Sequence, residues 1–101
     1  MCANVVTRDN CAVIQLHGRF DFNAHCDVRG AVDRALSIPG AESVTVEMKR
    51  VDYLDSSALG MLLLVRDKAR GANRNVALSR VNGSVRQVLD IANFGRLFAI
   101  S

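Results

Sequence analysis

Asp55, Ser56 and Ser57 stand where the segment Val51-Asp52-Tyr53-Leu54 gives way to a long aliphatic segment beginning at Ala58 and Leu59. Two chemistries suit that order. A carboxylate or hydroxyl at a helix start accepts hydrogen bonds from the free N–H groups of the first turn, so Asp55 or Ser56 can serve as a cap. A serine in the same turn can also carry a phosphate, because a helix N-terminus tolerates an anion. Ser57 would then hold its hydroxyl near the surface, and a phosphate there would add a charge of about −1.5 to −2. Spacing alone leaves both readings open.

Signatures of catalysis are otherwise sparse. The chain has no Walker A phosphate loop, no dinucleotide G-x-G-x-x-G and no G-x-S-x-G nucleophile elbow. Its two histidines, His17 and His25, lack metal-ligand spacing and read as surface residues at a strand end and a helix start. A hydrolase built on Ser57 would need a general base within hydrogen-bond reach. Cys2, Cys11 and Cys26 are odd in number and form no C-x-x-C pair. They read as free thiols in a reducing compartment. No enzyme activity, metal or cofactor is expected.

Bulk properties set the frame. With 101 residues, 50% hydrophobic and 23% charged, the chain suits one compact domain over 1–101 with an aliphatic core. Residues 1–65 carry 6 Lys/Arg against 8 Asp/Glu, whereas residues 66–101 carry 7 against 2. The basic residues of the second part are dispersed and not interleaved with aromatics, so direct nucleic-acid binding is not expected. The longest apolar run, Met61 to Val65, has five residues, far short of the ~20 that span a bilayer. A soluble, cytoplasmic protein without membrane association is expected.

The elements that must position Ser57 follow from period. Val5-Val6 marks a short first strand, and Asp9-Asn10 a turn. Ala12, Ile14 and Leu16 alternate with polar or outward positions in a second strand that Gly18 ends. Asn23 suits the N-cap of a helix to about Ser37, with Val28, Ala31, Val32, Ala35 and Leu36 as its stripe. Val44, Val46 and Met48 alternate with Thr45, Glu47 and Lys49, a strand with one polar face. Helices mainly on one side of the sheet are therefore expected. The helix after Ser57 is apolar on most sides and should be the most buried, ending at Gly71. A strand at Val76 to Leu78, a helix from Ser84 to about Ala92 and a last strand over Leu97 to Ile100 complete the order β-β-α-β-α-β-α-β. Strands separated by helices should be parallel, giving a mixed, mostly parallel α/β sheet.

Leu54-Asp55-Ser56-Ser57-Ala58-Leu59-Gly60 resembles the phosphorylation-site signature of the bacterial anti-sigma factor antagonists, a branch of the STAS domain family. Gly18-Arg19-Phe20-Asp21 resembles that family's strand-end Gly-x-Leu-Asp, with Asn23 where Thr or Asn is common. Val85 to Ile91 and the following Phe94 resemble its last helix. Ala58 stands where many members have Gly, and Asn82-Gly83 where Ser-Pro is common. The family's C-terminal helix has no counterpart within these 101 residues.

The resemblance implies a small STAS fold and a binding function. The unmodified protein would bind an anti-sigma factor that is also a serine kinase, and so release a sigma factor. Phosphorylation of Ser57 would block binding, and a PP2C-type, metal-dependent phosphatase would reverse it. The partner-binding residues implied are Asp21, Asn23, Asp55, Ser56, Ser57, Ala58, Leu59 and Gly60. STAS domains that serve as accessory subunits of transporters or sensory complexes are the alternative.

Overall fold

The computed structural model describes residues 2–100. Strands β1 (Cys2–Arg8) and β2 (Cys11–Phe20) form a hairpin, followed by helix α1 (His25–Leu36) and strand β3 (Ser43–Leu54). Helix α2 (Ser56–Gly71), strand β4 (Asn75–Ser79), helix α3 (Gly83–Ile91) and strand β5 (Ala99–Ile100) complete the chain. The order is the one expected, and the five strands lie in the sheet order β1-β2-β3-β4-β5. The first pair is antiparallel and the other three pairs are parallel.

The hairpin turns on Asp9 and Asn10, both at positive φ (46° and 64°). That is the twist a two-residue hairpin needs, and Asp and Asn tolerate it better than most residues. The first strand is longer than Val5-Val6 alone predicts, because pairing with β2 runs from Cys2–His17 to Arg8–Cys11. Each parallel connection moves one strand further in the same direction, so right-handed crossovers put α1, α2 and α3 on one face.

That face is the core. Ala12, Ile14 and Leu16 of β2 and Val44, Val46 and Met48 of β3 lie within 2% exposure, and all three helices pack their buried residues onto them. The opposite face carries polar groups. Glu47 accepts from Arg8 at 3.4 Å there and pairs with Arg80 at 3.5 Å. Cys11 Sγ lies 3.2 Å from Thr45 Oγ1. Cys2, Cys11 and Cys26 are free thiols.

Strand β3 is longer than its alternation suggests, and irregularities explain why. Its register with β2 shifts between Gln15 and His17 and again between Gly18 and Arg19. At each shift β3 carries one extra residue. Met48, Val51 and Leu54 are three apart, yet all are buried (0%, 1% and 7% exposed). In an unbroken strand Val51 would face solvent, because side chains alternate with period two. Gly18, at φ 106°, sits at the second irregularity, where a side chain would be strained. Pairing with β4 ends at Glu47–Ser79, and the Asn82 side-chain amide takes over. Its Nδ2 donates to the carbonyls of Lys49 at 3.4 Å and Val51 at 3.3 Å.

Four element ends differ from the sequence-based expectation. Asn23 does not cap α1. Asp21 instead caps a 3-10 turn over Phe22–Ala24, and α1 starts at His25. Gly71 is the last helical residue of α2, and Asn73 supplies the left-handed stop at φ 59°. The Arg74 N–H then reaches back to the Ala69 carbonyl at 2.8 Å, closing the end as a Schellman-type motif. Ser84 lies inside α3, whose N-cap is Asn82. Asn82 uses its side chain on β3, so it makes no cap hydrogen bond. The last strand is only Ala99–Ile100, because Phe94–Arg96 forms a 3-10 turn that stacks Phe94 on Phe98 with centroids 5.7 Å apart. Among the described residues, no helix is long and apolar enough to cross a membrane.

Candidate functional site

Phe20 and Leu54 are register partners at the ends of β2 and β3. The next residue of each strand, Asp21 and Asp55, therefore leaves the sheet beside the other. Both backbones are extended at these residues and both carboxylates act as caps. Asp21 Oδ1 accepts the Asn23 N–H at 3.0 Å. Asp55 Oδ1 accepts the Ala58 N–H at 3.1 Å, which identifies Asp55, not Ser56, as the cap of α2. Ser56 and Ser57 fill the first turn of α2, and their N–H groups are among those with no intrahelical acceptor.

Ser57 is half-buried and lines an open groove of about 250 Å³. The other walls are Phe22, His25, Gly60, Met61 and Leu64. Ser57, Gly60, Met61 and Leu64 are spaced i, i+3, i+4 and i+7, so they form one stripe along α2 facing α1. The groove continues toward Val28, Arg29, Val32, Val65 and Lys68, which line the adjoining depression.

The sequence-predicted residues fall into distinct positions. Asp21, Asp55 and Ser57 are brought together at half-buried sites, and Asn23, Ser56 and Gly60 are exposed. Ala58 is 0% exposed and faces the core, which removes its side chain from any contact surface. Leu59 is half-buried and packs against the core cluster. The sequence reads His25 as a surface residue at a helix start. It is exposed, but it lines the same groove as Ser57. Among the described residues, the side-chain hydrogen bonds here join Asp21 to Arg19 and Asn23, and Asp55 to Ala58, and Ser57 shares none with His25. No three His, Cys, Asp or Glu side chains come together to hold a metal among them.

Three further residues belong to this end of the sheet. Phe22 is 73% exposed and Tyr53 38%, so two of the five aromatic residues flank the strand ends with open rings. Arg19 places its guanidinium carbon 3.7 Å from the Tyr53 ring centroid, and its Nε donates to Asp21 Oδ2 at 2.9 Å. Arg19 thus offsets the Asp21 charge and stacks on an aromatic face at once. An apolar Phe22 inside a polar turn was the one available signal in the sequence. Tyr53 had none, since its outward direction depends on the irregularities in β3.

Comparison with known proteins agrees with this architecture. The family model described as "Mlab, STAS domain" matches residues 3–99. A STAS-domain containing protein of Pseudomonas aeruginosa (strain UCBPP-PA14) is 49% identical over 88 residues, covering 87% of this chain and 85% of that protein. The anti-sigma F factor antagonist of Paenibacillus polymyxa is 25% identical over 88 residues, covering 87% of this chain and 75% of that one. Among solved structures, the unphosphorylated anti-sigma factor antagonist SpoIIAA superposes with a TM-score of 0.71 at 19% identity, covering 99% of this chain and 87% of that chain. SpoIIAA from Bacillus is also known in its phosphorylated form, with a TM-score of 0.69 at 20% identity over 99% of this chain and 91% of that one. The helices on one face, the serine turn between paired strand ends and these matches lead to one conclusion: the chain belongs to the STAS domain family and has the fold of the anti-sigma factor antagonists.

Proposed function

We propose that this protein is an anti-sigma factor antagonist whose binding is switched off by phosphorylation of Ser57. The unmodified form binds an anti-sigma factor that is also a serine kinase, and so frees a sigma factor. A PP2C-type phosphatase restores the binding form. The protein acts as a binding module and kinase substrate, not as a catalyst. The observation that carries this reading is the position of Ser57, in the first turn of α2 and on the wall of an open groove.

Charge supplies the switch. Asp21 is paired with Arg19, and Asp55 is engaged as a cap, so both carboxylates are internally compensated. A phosphate on Ser57 would have no such partner in place. It would set a charge of about −1.5 to −2 on the groove wall. Like charges pressed together across an interface cost several kcal/mol. About 3 kcal/mol already weakens binding more than a hundredfold. The helix N-terminus accommodates the anion, so the fold need not rearrange.

The test is a pull-down with wild-type, Ser57→Asp and Ser57→Ala protein as bait, followed by calorimetric titration with the captured partner. A partner carrying an ATPase-like kinase domain should bind wild type and Ser57→Ala and be lost with Ser57→Asp. Equal affinity for wild type and Ser57→Asp would sink the proposal.

A further inference from the structure

Helix α2 contains a contradiction. Gly60 lies inside the helix, is exposed, and a Cβ added there would meet nothing within 4 Å. Its φ is not positive, so no backbone conformation requires glycine. Glycine in an exposed helix interior is unfavourable and leaves a notch in the helix surface. Among the described residues, no neighbouring atom accounts for it. Four residues on, Leu64 is 37% exposed, although this helix also holds several fully buried residues. Phe22 faces the same groove with 73% of its surface open. Local rules broken without internal compensation point to a functional contact.

The rim has one sign. Phe22 and Leu64 supply exposed apolar walls over a buried floor of Val28, Val32, Met61 and Val65, and the charged side chains that line the groove's continuation are Arg29 and Lys68. Among the described residues, no carboxylate lines either part. Lys68 is held at 2.9 Å by Asp33, which lies outside the lining. Arg29 forms no ion pair among the described residues.

We infer that this groove seats an amphipathic helix with acidic flanks, contributed by the partner that Ser57 controls under the proposed function above. Its apolar residues rest on Phe22 and Leu64, its backbone approaches α2 at the notch of Gly60, and its carboxylates meet Arg29. A glycine at the contact lets two helix axes approach more closely than a larger side chain would. An acidic segment also explains why a phosphate at Ser57, at one end of the groove, repels what the basic rim attracts.

The test uses the full chain labelled with nitrogen-15 and three designed helical peptides of about five turns. The first has Leu at i, i+3, i+4 and i+7 with Glu on its flanks, the second has Lys in place of Glu, and the third has the acidic composition in scrambled order. The acidic amphipathic peptide should shift the amides of His25, Gly60, Met61 and Leu64 with a Kd below ~1 mM. The Lys peptide and the scrambled peptide should each bind at least about tenfold more weakly. Gly60→Leu should weaken the acidic peptide at least about tenfold while melting no lower than wild type, and Arg29→Glu should reverse the charge preference. Equal binding of acidic and Lys peptides, shifts mapping to another face, no saturation, or undiminished binding by Gly60→Leu would each overturn the assignment. Ser57→Asp separates the two proposals. If it binds the acidic peptide as wild type does, the groove stands and the phosphorylation switch fails. If wild type ignores the peptide, the groove assignment fails, and the switch is decided by the pull-down.

Discussion

Phe20 lies opposite Leu54 across the parallel β2–β3 ladder, and both side chains are buried. That single pairing brings Asp21 and Asp55 out of the sheet together and so fixes where Phe22 and Ser57 begin their turns. The site is therefore positioned by core packing at the strand ends, while its chemistry sits one to three residues further on.

The cap of α2 can be weighed directly. Asp55→Ala removes the acceptor of the Ala58 N–H and should cost about 1 kcal/mol. For a domain of this size that lowers Tm by about 4–8 °C. Asp55→Ser should recover most of the loss, since a hydroxyl can also accept. Thermal melts of the three proteins check this. An unchanged Tm in Asp55→Ala would mean that the cap contributes nothing.

Arg19 and Asp21 should differ in weight. Arg19→Ala removes an exposed ion pair and a cation–π contact, together worth about 1 kcal/mol. Asp21→Ala removes the same pair and the cap of the Phe22–Ala24 turn but leaves Arg19 on the Tyr53 ring, so its cost should exceed that of Arg19→Ala by no more than about 0.5 kcal/mol. Urea unfolding of both variants and of the double variant gives the order and the coupling.

How far the sequence discloses this site depends on whether a residue obeys a simple period. The alternation of Val44, Val46 and Met48 and the stripe from Val28 to Leu36 place the core face and α1, because each is a short-range pattern. The serine turn is legible because Asp55, Ser56 and Ser57 follow directly upon a strand. Tyr53 and Arg19 are not legible as a pair: their contact exists only because the register slips between Gly18 and Arg19. The cap at Asp21 was displaced to Asn23 because both residue types cap well, and only the intervening 3-10 turn decides. The apolar run of α2 carries no signal that its Leu64 flank is left open.

Leu62 tests the core beneath Ser57. It is 0% exposed in α2 and part of the cluster under the sheet. Leu62→Ala should cost about 2–5 kcal/mol through lost burial and a residual cavity. That is a large share of a typical stability of about 5–15 kcal/mol. The urea midpoint should fall with the slope unchanged. Leu64→Ala, three-eighths exposed at the groove, should cost far less.

Asp33 offers a pH test. The hydrogen bond from Lys68 at 2.9 Å holds its carboxyl below the ordinary carboxylate value of 3.8. Partial burial opposes this, and the charges of Lys68 and Arg29 add to the lowering. The folded carboxyl ionises more readily than the unfolded one. The pair therefore stabilises the protein above the unfolded value, and the contribution is lost as pH falls through the lower folded value. Lys68→Met should return Asp33 toward 3.8, as read by carbon-13 carboxyl shifts against pH. The stability difference between wild type and Lys68→Met should be level from about pH 5 to 7 and shrink below about pH 4. Asp33 is largely open to solvent and Lys68 half-buried, so raising salt to about 0.5 M should reduce the shift. If Lys68→Met left the Asp33 titration in place, the lowering would have to come from Arg29, and the ion pair between α1 and α2 would carry no weight in solution.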